Sequence, residues 1–208
     1  MKLVNPGDKV MLGSISTSRT ELVDLIKAWL AISIAFSILL GGSIFSFGFI
    51  NVFMIASLTV GLGFIAHEMA HKVVAQRYGC FAEFRAWNQM LILAVVMAFF
   101  GFIIAAPGAV MISGPVGTRR NGKISAAGAI ANLVIAALFL SLLLIPVTGT
   151  LYLIAKYGFM INTWLALFNM IPVWMFDGKK VLRWNKVVYF SMLGAGIIFM
   201  VLQGVVFS

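Results

Sequence analysis

Five apolar runs, each long enough to cross a bilayer, constrain this chain more than any other feature. About 20 consecutive apolar residues are needed to span the hydrocarbon core as a helix. Segments 22–44, 50–73, 125–146 and 151–171 reach that length, and a fifth closes the chain at 187–207. No water reaches such a segment to satisfy its backbone, so it folds as a helix. Composition agrees: 62% of the 208 residues are hydrophobic and 10% are charged, against about 25% charged in soluble domains. Mean hydropathy is +1.07. The expectation is an all-α polytopic protein, multi-pass in a cell membrane, with the lipid bilayer as its first partner.

Charge orients the runs. The net charge of +9 comes from Lys and Arg clustered in short stretches between apolar segments, where they hold loops on the cytoplasmic side. No nucleic-acid partner is therefore expected. Residues 1–21 are polar, and the run after them is longer than a signal-peptide core and lacks a small-residue cleavage site, so it reads as a retained span. Lys2, Lys9 and Arg19 precede it, and Lys72, Arg77 and Arg85 follow the second span, which places the amino terminus and a 74–90 loop in the cytoplasm. Lys156, near the outer end of the fourth span, can snorkel to the far interface.

The segment 91–115 is also apolar but carries Pro107-Gly108 and Gly114-Pro115, which interrupt a helix twice. If it crossed fully, making six spans, the clusters at Arg119, Arg120 and Lys123 and at Lys179, Lys180, Arg183 and Lys186 would both face outward. If it dips in and returns, every basic cluster faces inward. A re-entrant or β-hairpin element is expected, with a strand-like edge at 108–113. Without repeats or linkers, the chain reads as a single domain, 1–208.

Both histidines of the chain lie in His67-Glu68-Met69-Ala70-His71, inside the second run. Four residues apart on a helix, they point the same way with Glu68 alongside, the spacing that binds zinc and leaves a base next to it. A catalytic zinc takes three protein ligands and keeps one position open. Among the carboxylates, Asp8, Glu21 and Asp24 precede or open the first span, and Glu83 beside Arg85 reads as a solvated loop charge. Asp177 follows the fourth span on the side where His67 and His71 end the second, and is the expected third ligand. Zinc so held lowers the pKa of a water from 15.7 toward about 7. Glu68 can then take that proton and return it to a leaving amine. The expected chemistry is hydrolysis of an acyl bond, that of a peptide.

Asn132 shares a helix face with Gly128 and Ala136 that allows close packing, and Asn169 sits one turn before Pro172. Either could hydrogen-bond an oxyanion, hold a substrate strand or tie two helices together. Cys80 alone supports neither a disulfide framework nor a cysteine zinc cage.

Three stretches carry a resemblance. Phe64-Ile-Ala-His-Glu-Met-Ala-His71, Ile124-Ser-Ala-Ala-Gly-Ala-Ile-Ala-Asn-Leu-Val134 and Phe168-Asn-Met-Ile-Pro-Val-Trp-Met-Phe-Asp-Gly178 resemble, in order and spacing, the motifs of the site-2 protease class of intramembrane zinc metalloproteases. The likeness covers about residues 50–185. It departs from the family's pattern at Ala129 and Met170, where the family has prolines. It implies one catalytic Zn2+ held by His67, His71 and Asp177, Glu68 as base, and Asn132 and Asn169 shaping a substrate cleft. It further implies that 91–115 forms membrane-embedded strands lining the substrate entrance. The expected function is zinc-dependent endoproteolysis of another protein's transmembrane segment near the cytoplasmic face, as in regulated intramembrane proteolysis. A non-catalytic binder of transmembrane segments is the alternative, but it needs none of the four site residues. A metal transporter would spread polar residues over several depths, whereas these gather at one.

Overall fold

The computed structural model describes residues 9–13, 15–41, 46, 48–103, 107–173 and 176–207. Lys2 and Asp8, and Trp174-Met175 of the third motif stretch, lie outside them. The described chain is mostly helical, with two short antiparallel strand pairs. A hairpin of β1 (Lys9–Leu12) and β2 (Ile15–Ser18) leads into α1 (Arg19–Leu39). The α1 start is written locally: Ser18 stays extended and its Oγ accepts from the Glu21 backbone N–H at 3.1 Å, satisfying one of the free donors of the first turn. Next come α2 (Phe49–Ala56), a π-turn (Ser57–Gly61) and α3 (Leu62–Arg77), together one 29-residue apolar helix. The strand β3 (Phe81–Ala86), the helix α4 (Asn88–Ala98) and the strand β4 (Gly108–Ser113) follow. The chain ends with α5 (Thr118–Leu143), α6 (Gly149–Asn169), α7 (Asp177–Trp184) and α8 (Lys186–Val206).

Among the described residues, five helices are long and apolar enough to cross a membrane: α1, the α2–α3 helix, α5, α6 and α8. These are the five expected runs, and this is an all-α polytopic membrane protein. The six-span alternative fails on length. The helix α4 has 11 residues, about 16 Å at 1.5 Å per residue against roughly 30 Å of hydrocarbon. The strand β4 falls at 108–113 as expected and returns alongside β3, with Phe84 opposite Val110 and Ala86 opposite Gly108.

Three expectations need correcting. The 74–90 stretch is not a loop: it contains the end of α3, all of β3 and the first turn of α4. Ala82 and Phe84 are buried on β3, and Phe84 meets Phe64 of α3 edge-on with ring centroids 5.6 Å apart. Glu83 is not solvated; it is buried on β3 and pairs with Arg85. Lys72 does not follow the second span; it lies within α3. It is 1% exposed and pairs with Glu21, itself wholly buried. Charge is tolerated at these places because each group has an opposite partner.

Glu21 does more than neutralise Lys72. Its Oε1 accepts from the Phe84 backbone N–H at 2.9 Å, and Asp24 Oδ2 accepts from Ala86 N–H at 3.3 Å. Two α1 carboxylates thus occupy the outer edge of β3. One core cluster, including Leu25, Ile32, Val60, Phe64 and Phe84, joins α1, the α2–α3 helix and the sheet. A second, including Ala129, Met170, Val181 and Tyr189, joins α5, α7 and α8.

Candidate metal centre

The helix α3 presents His67 and His71 on one face, one turn apart, with ring centroids 4.6 Å from each other. The start of α7 brings Asp177 to them. Gly178 makes that approach possible, because any Cβ there would run into the backbone carbonyl of Met170. Tyr189 of α8 donates to the same carbonyl at 3.0 Å. The helix α5 closes the third side with Gly128, whose missing side chain leaves room for both imidazoles.

The three side chains converge. His67 Nε2 and His71 Nε2 are 3.0 Å apart, and Asp177 Oδ2 lies 3.5 Å from the first and 3.0 Å from the second. All three residues are buried. Their outer contacts fix the tautomers. His67 Nδ1 is 2.7 Å from Asn132 Oδ1, and His71 Nδ1 is 2.7 Å from the Ile124 carbonyl. Asn132 Nδ2 donates to the Gly63 carbonyl at 3.1 Å and to Asn162 Oδ1 at 3.0 Å, so its oxygen is the atom facing His67. Both imidazoles therefore carry their proton on Nδ1 and turn the Nε2 lone pair inward.

Two nitrogen lone pairs and a carboxylate oxygen at 3.0–3.5 Å repel one another unless a positive charge lies among them. Tetrahedral zinc with bonds of 2.0–2.2 Å holds its ligand atoms about 3.3 Å apart, which these spacings approach. Two imidazoles and one carboxylate are also a donor set of catalytic zinc sites. Lys180 of α7 donates to the Asp177 carboxylate at 3.2 Å. The carboxylate is the metal-binding form.

Glu68 stands beside the centre without joining it. It is buried on α3. The Phe84–Val110 pair of the neighbouring sheet points its N–H groups away from the ladder, that of Phe84 to Glu21. Asn132, of the arrangements open to it, ties α5 to α3 and orients His67. Asn169 lies half-buried at the end of α6, its Nδ2 bonded to the Leu165 carbonyl of its own helix at 2.9 Å. Cys80 is buried at the turn into β3, against Gly114 and outside the cluster.

Sequence reasoning missed Asn162. It is wholly buried on α6, accepts from Asn132 and donates to the Gly158 carbonyl at 2.9 Å. Gly63 is needed where it stands, since a Cβ would overlap the Asn162 amide. A polar residue in mid-span was the available signal.

No family model and no solved structure matches the chain. A protein of Methanocaldococcus jannaschii named "Putative zinc metalloprotease MJ0611" is 45% identical over 175 residues, covering 83% of this chain and 88% of that one. With identity at that level over most of both lengths, the chain belongs to the zinc metalloprotease family of that Methanocaldococcus jannaschii protein.

Proposed function

We propose that this chain is a zinc-dependent intramembrane endopeptidase of the site-2 protease type, with residues 1–208 acting as one domain. It would hydrolyse a peptide bond in a transmembrane segment of another protein. The observation that carries the reading is the convergence of His67, His71 and Asp177 beside Glu68, in a chain with five helices of membrane-spanning length. The 45% identical relative's name supports both the metal and the reaction class.

In this reading His67, His71 and Asp177 hold the ion, which when bound supplies the Lewis acidity that makes water a nucleophile at neutral pH. Glu68 takes a proton from the attacking water and delivers it to the leaving amine. Asn132 keeps His67 in the tautomer that offers Nε2. Asn169 retains the cleft role that the resemblance implies.

The sheet suggests how substrate is held. The outer edge of β3 is taken by Glu21 and Asp24, while no described strand pairs with the other edge of β4. An unwound substrate segment would align along β4, next to Glu68, as an added strand. Unwinding is required because an intact helix keeps its carbonyls in its own hydrogen bonds.

The cytoplasmic assignment draws on charge. The end of α3, the start of α5, α7 and the start of α8 meet at one end of the helices, as the contacts of His71 with Ile124 and Asp177 and of Gly122 with Trp184 require. Arg77, Arg119, Arg120, Lys123, Lys179, Lys180, Arg183 and Lys186 all belong to these segments. Basic residues at one end support a cytoplasmic active-site end.

The test compares zinc content and cleavage of a generic transmembrane substrate in wild type, Glu68→Ala and Asp177→Ala. Wild type should hold about one zinc and cut, Glu68→Ala should hold zinc without cutting, and Asp177→Ala should lose both. Equal cleavage by Glu68→Ala would refute the mechanism.

A further inference from the structure

Each group in the candidate centre has an outer partner, and the three partners differ in kind. His67 leans on the Asn132 amide and His71 on the Ile124 carbonyl, both buried and neutral. Asp177 leans on a charge. Its Oδ2 faces the two imidazoles, while its Oδ1 accepts from Lys180 Nζ at 3.2 Å. The Lys180 side chain is 41% exposed, the carboxylate 11%.

We infer that Lys180 is a positioning residue for the metal centre: it occupies the outer oxygen of Asp177, so the carboxylate presents a single oxygen to the ion. The inference rests on the proposed metal site and adds a residue to it. An i,i+3 pair on an exposed helix ordinarily contributes little to stability. Here the pair has a second task, because Asp177 is the first residue of an eight-residue helix whose N-cap, Phe176, supplies no side-chain bond. Without Lys180, Oδ1 has no side-chain donor among the described residues, and the carboxylate can rotate about its last torsion. Partners of this kind are worth about 10–100-fold in metal affinity when removed.

Lys179 supplies the control. It carries the same charge one position earlier on the same helix and is not part of the pair. The experiment measures zinc dissociation constants by chelator competition on purified full-length wild type, Lys180→Met, Lys180→Arg and Lys179→Met, with thermal unfolding of each metal-free protein alongside. Lys180→Met should weaken zinc about 10–100-fold, while Lys180→Arg and Lys179→Met stay within about threefold of wild type. Metal-free unfolding should be the same in all four. If Lys180→Met binds zinc as tightly as wild type, the inference is wrong and the proposed metal site stands. Equal weakening by Lys179→Met and Lys180→Met would reduce the effect to general charge and also overturn it. A wild type that binds no zinc removes the metal site itself.

Discussion

Gly128 lies on α5 directly against the two imidazoles, so that a Cβ built there would stand 2.5 Å from Cε1 and Nε2 of His71 and 2.6 Å from Cε1 of His67. Ordinary carbon contacts begin near 3.5 Å, so Gly128→Ala forces about 1 Å of movement between helix and rings. Metal coordination tolerates about 0.2 Å. The rings also cannot retreat freely, because each Nδ1 is held at 2.7 Å by Asn132 or Ile124. Losing the seating of one ligand costs about 10–100-fold in affinity, and two are disturbed here, so zinc binding should weaken by at least about 100-fold. Stability responds differently. Overpacking costs about 1–3 kcal/mol, and replacing a helical glycine with alanine returns about 1 kcal/mol. The metal-free protein should therefore unfold within about 2 kcal/mol of wild type. Chelator competition for zinc and unfolding of the metal-free form measure the two quantities separately. Wild-type zinc affinity in Gly128→Ala would refute the arrangement of α5 against the histidines.

Further outcomes follow from contacts farther out. Asn132→Leu removes three interhelical hydrogen bonds, about 2 kcal/mol at roughly 0.6 kcal/mol each in a bilayer. Zinc competition should also show a 10–100-fold loss of affinity. Glu21→Gln leaves Lys72 buried beside a neutral partner, which should cost about 3–5 kcal/mol in an unfolding assay. The double variant Glu21→Leu/Lys72→Met should recover most of it, since breaking a buried pair is worse than replacing it. Val110→Pro removes an N–H from the edge of β4 proposed to take the substrate strand, but no β3 ladder bond. Zinc content should stay at the wild-type value while cleavage falls about 2–10-fold, the worth of one backbone hydrogen bond.

Much of the architecture was legible because its determinants are local. The spans announce themselves by length and hydropathy, and α1, α5, α6 and α8 begin and end within a few residues of the expected runs, except that α1 ends at Leu39 rather than 44 and α5 extends back to Thr118 through its basic first turn. The His67–His71 spacing needs only one helix. The Gly108–Ser113 strand could be read from the breaks that flank it. What escaped the sequence depends on partners far along the chain. The strand β3 is short and carries two charges; it is a strand because α1 fills one edge with Glu21 and Asp24 and β4 fills the other. Lys72 reads as one of the basic residues after the second span until Glu21, 51 residues away, is placed against it. Asn162 has no motif around it, and its meaning appears only when α5 and α6 bring Asn132 within reach.

The π-turn at Ser57–Gly61 has a consequence for chain length. A π-turn holds one residue more than an α-turn, so this segment is equivalent to a regular helix with one residue inserted. Trp29 helps to accommodate the insertion, its Nε1 donating to the Ser57 carbonyl at 3.2 Å while its ring lies where a Gly61 side chain would be. A chain one residue shorter between 57 and 61 could close the turn as ordinary α-helix and keep the faces of both flanking helices. Single-residue length differences ahead of the histidines are thus compatible with an unchanged centre. Helical phase, not distance from the amino terminus, decides where the imidazoles point.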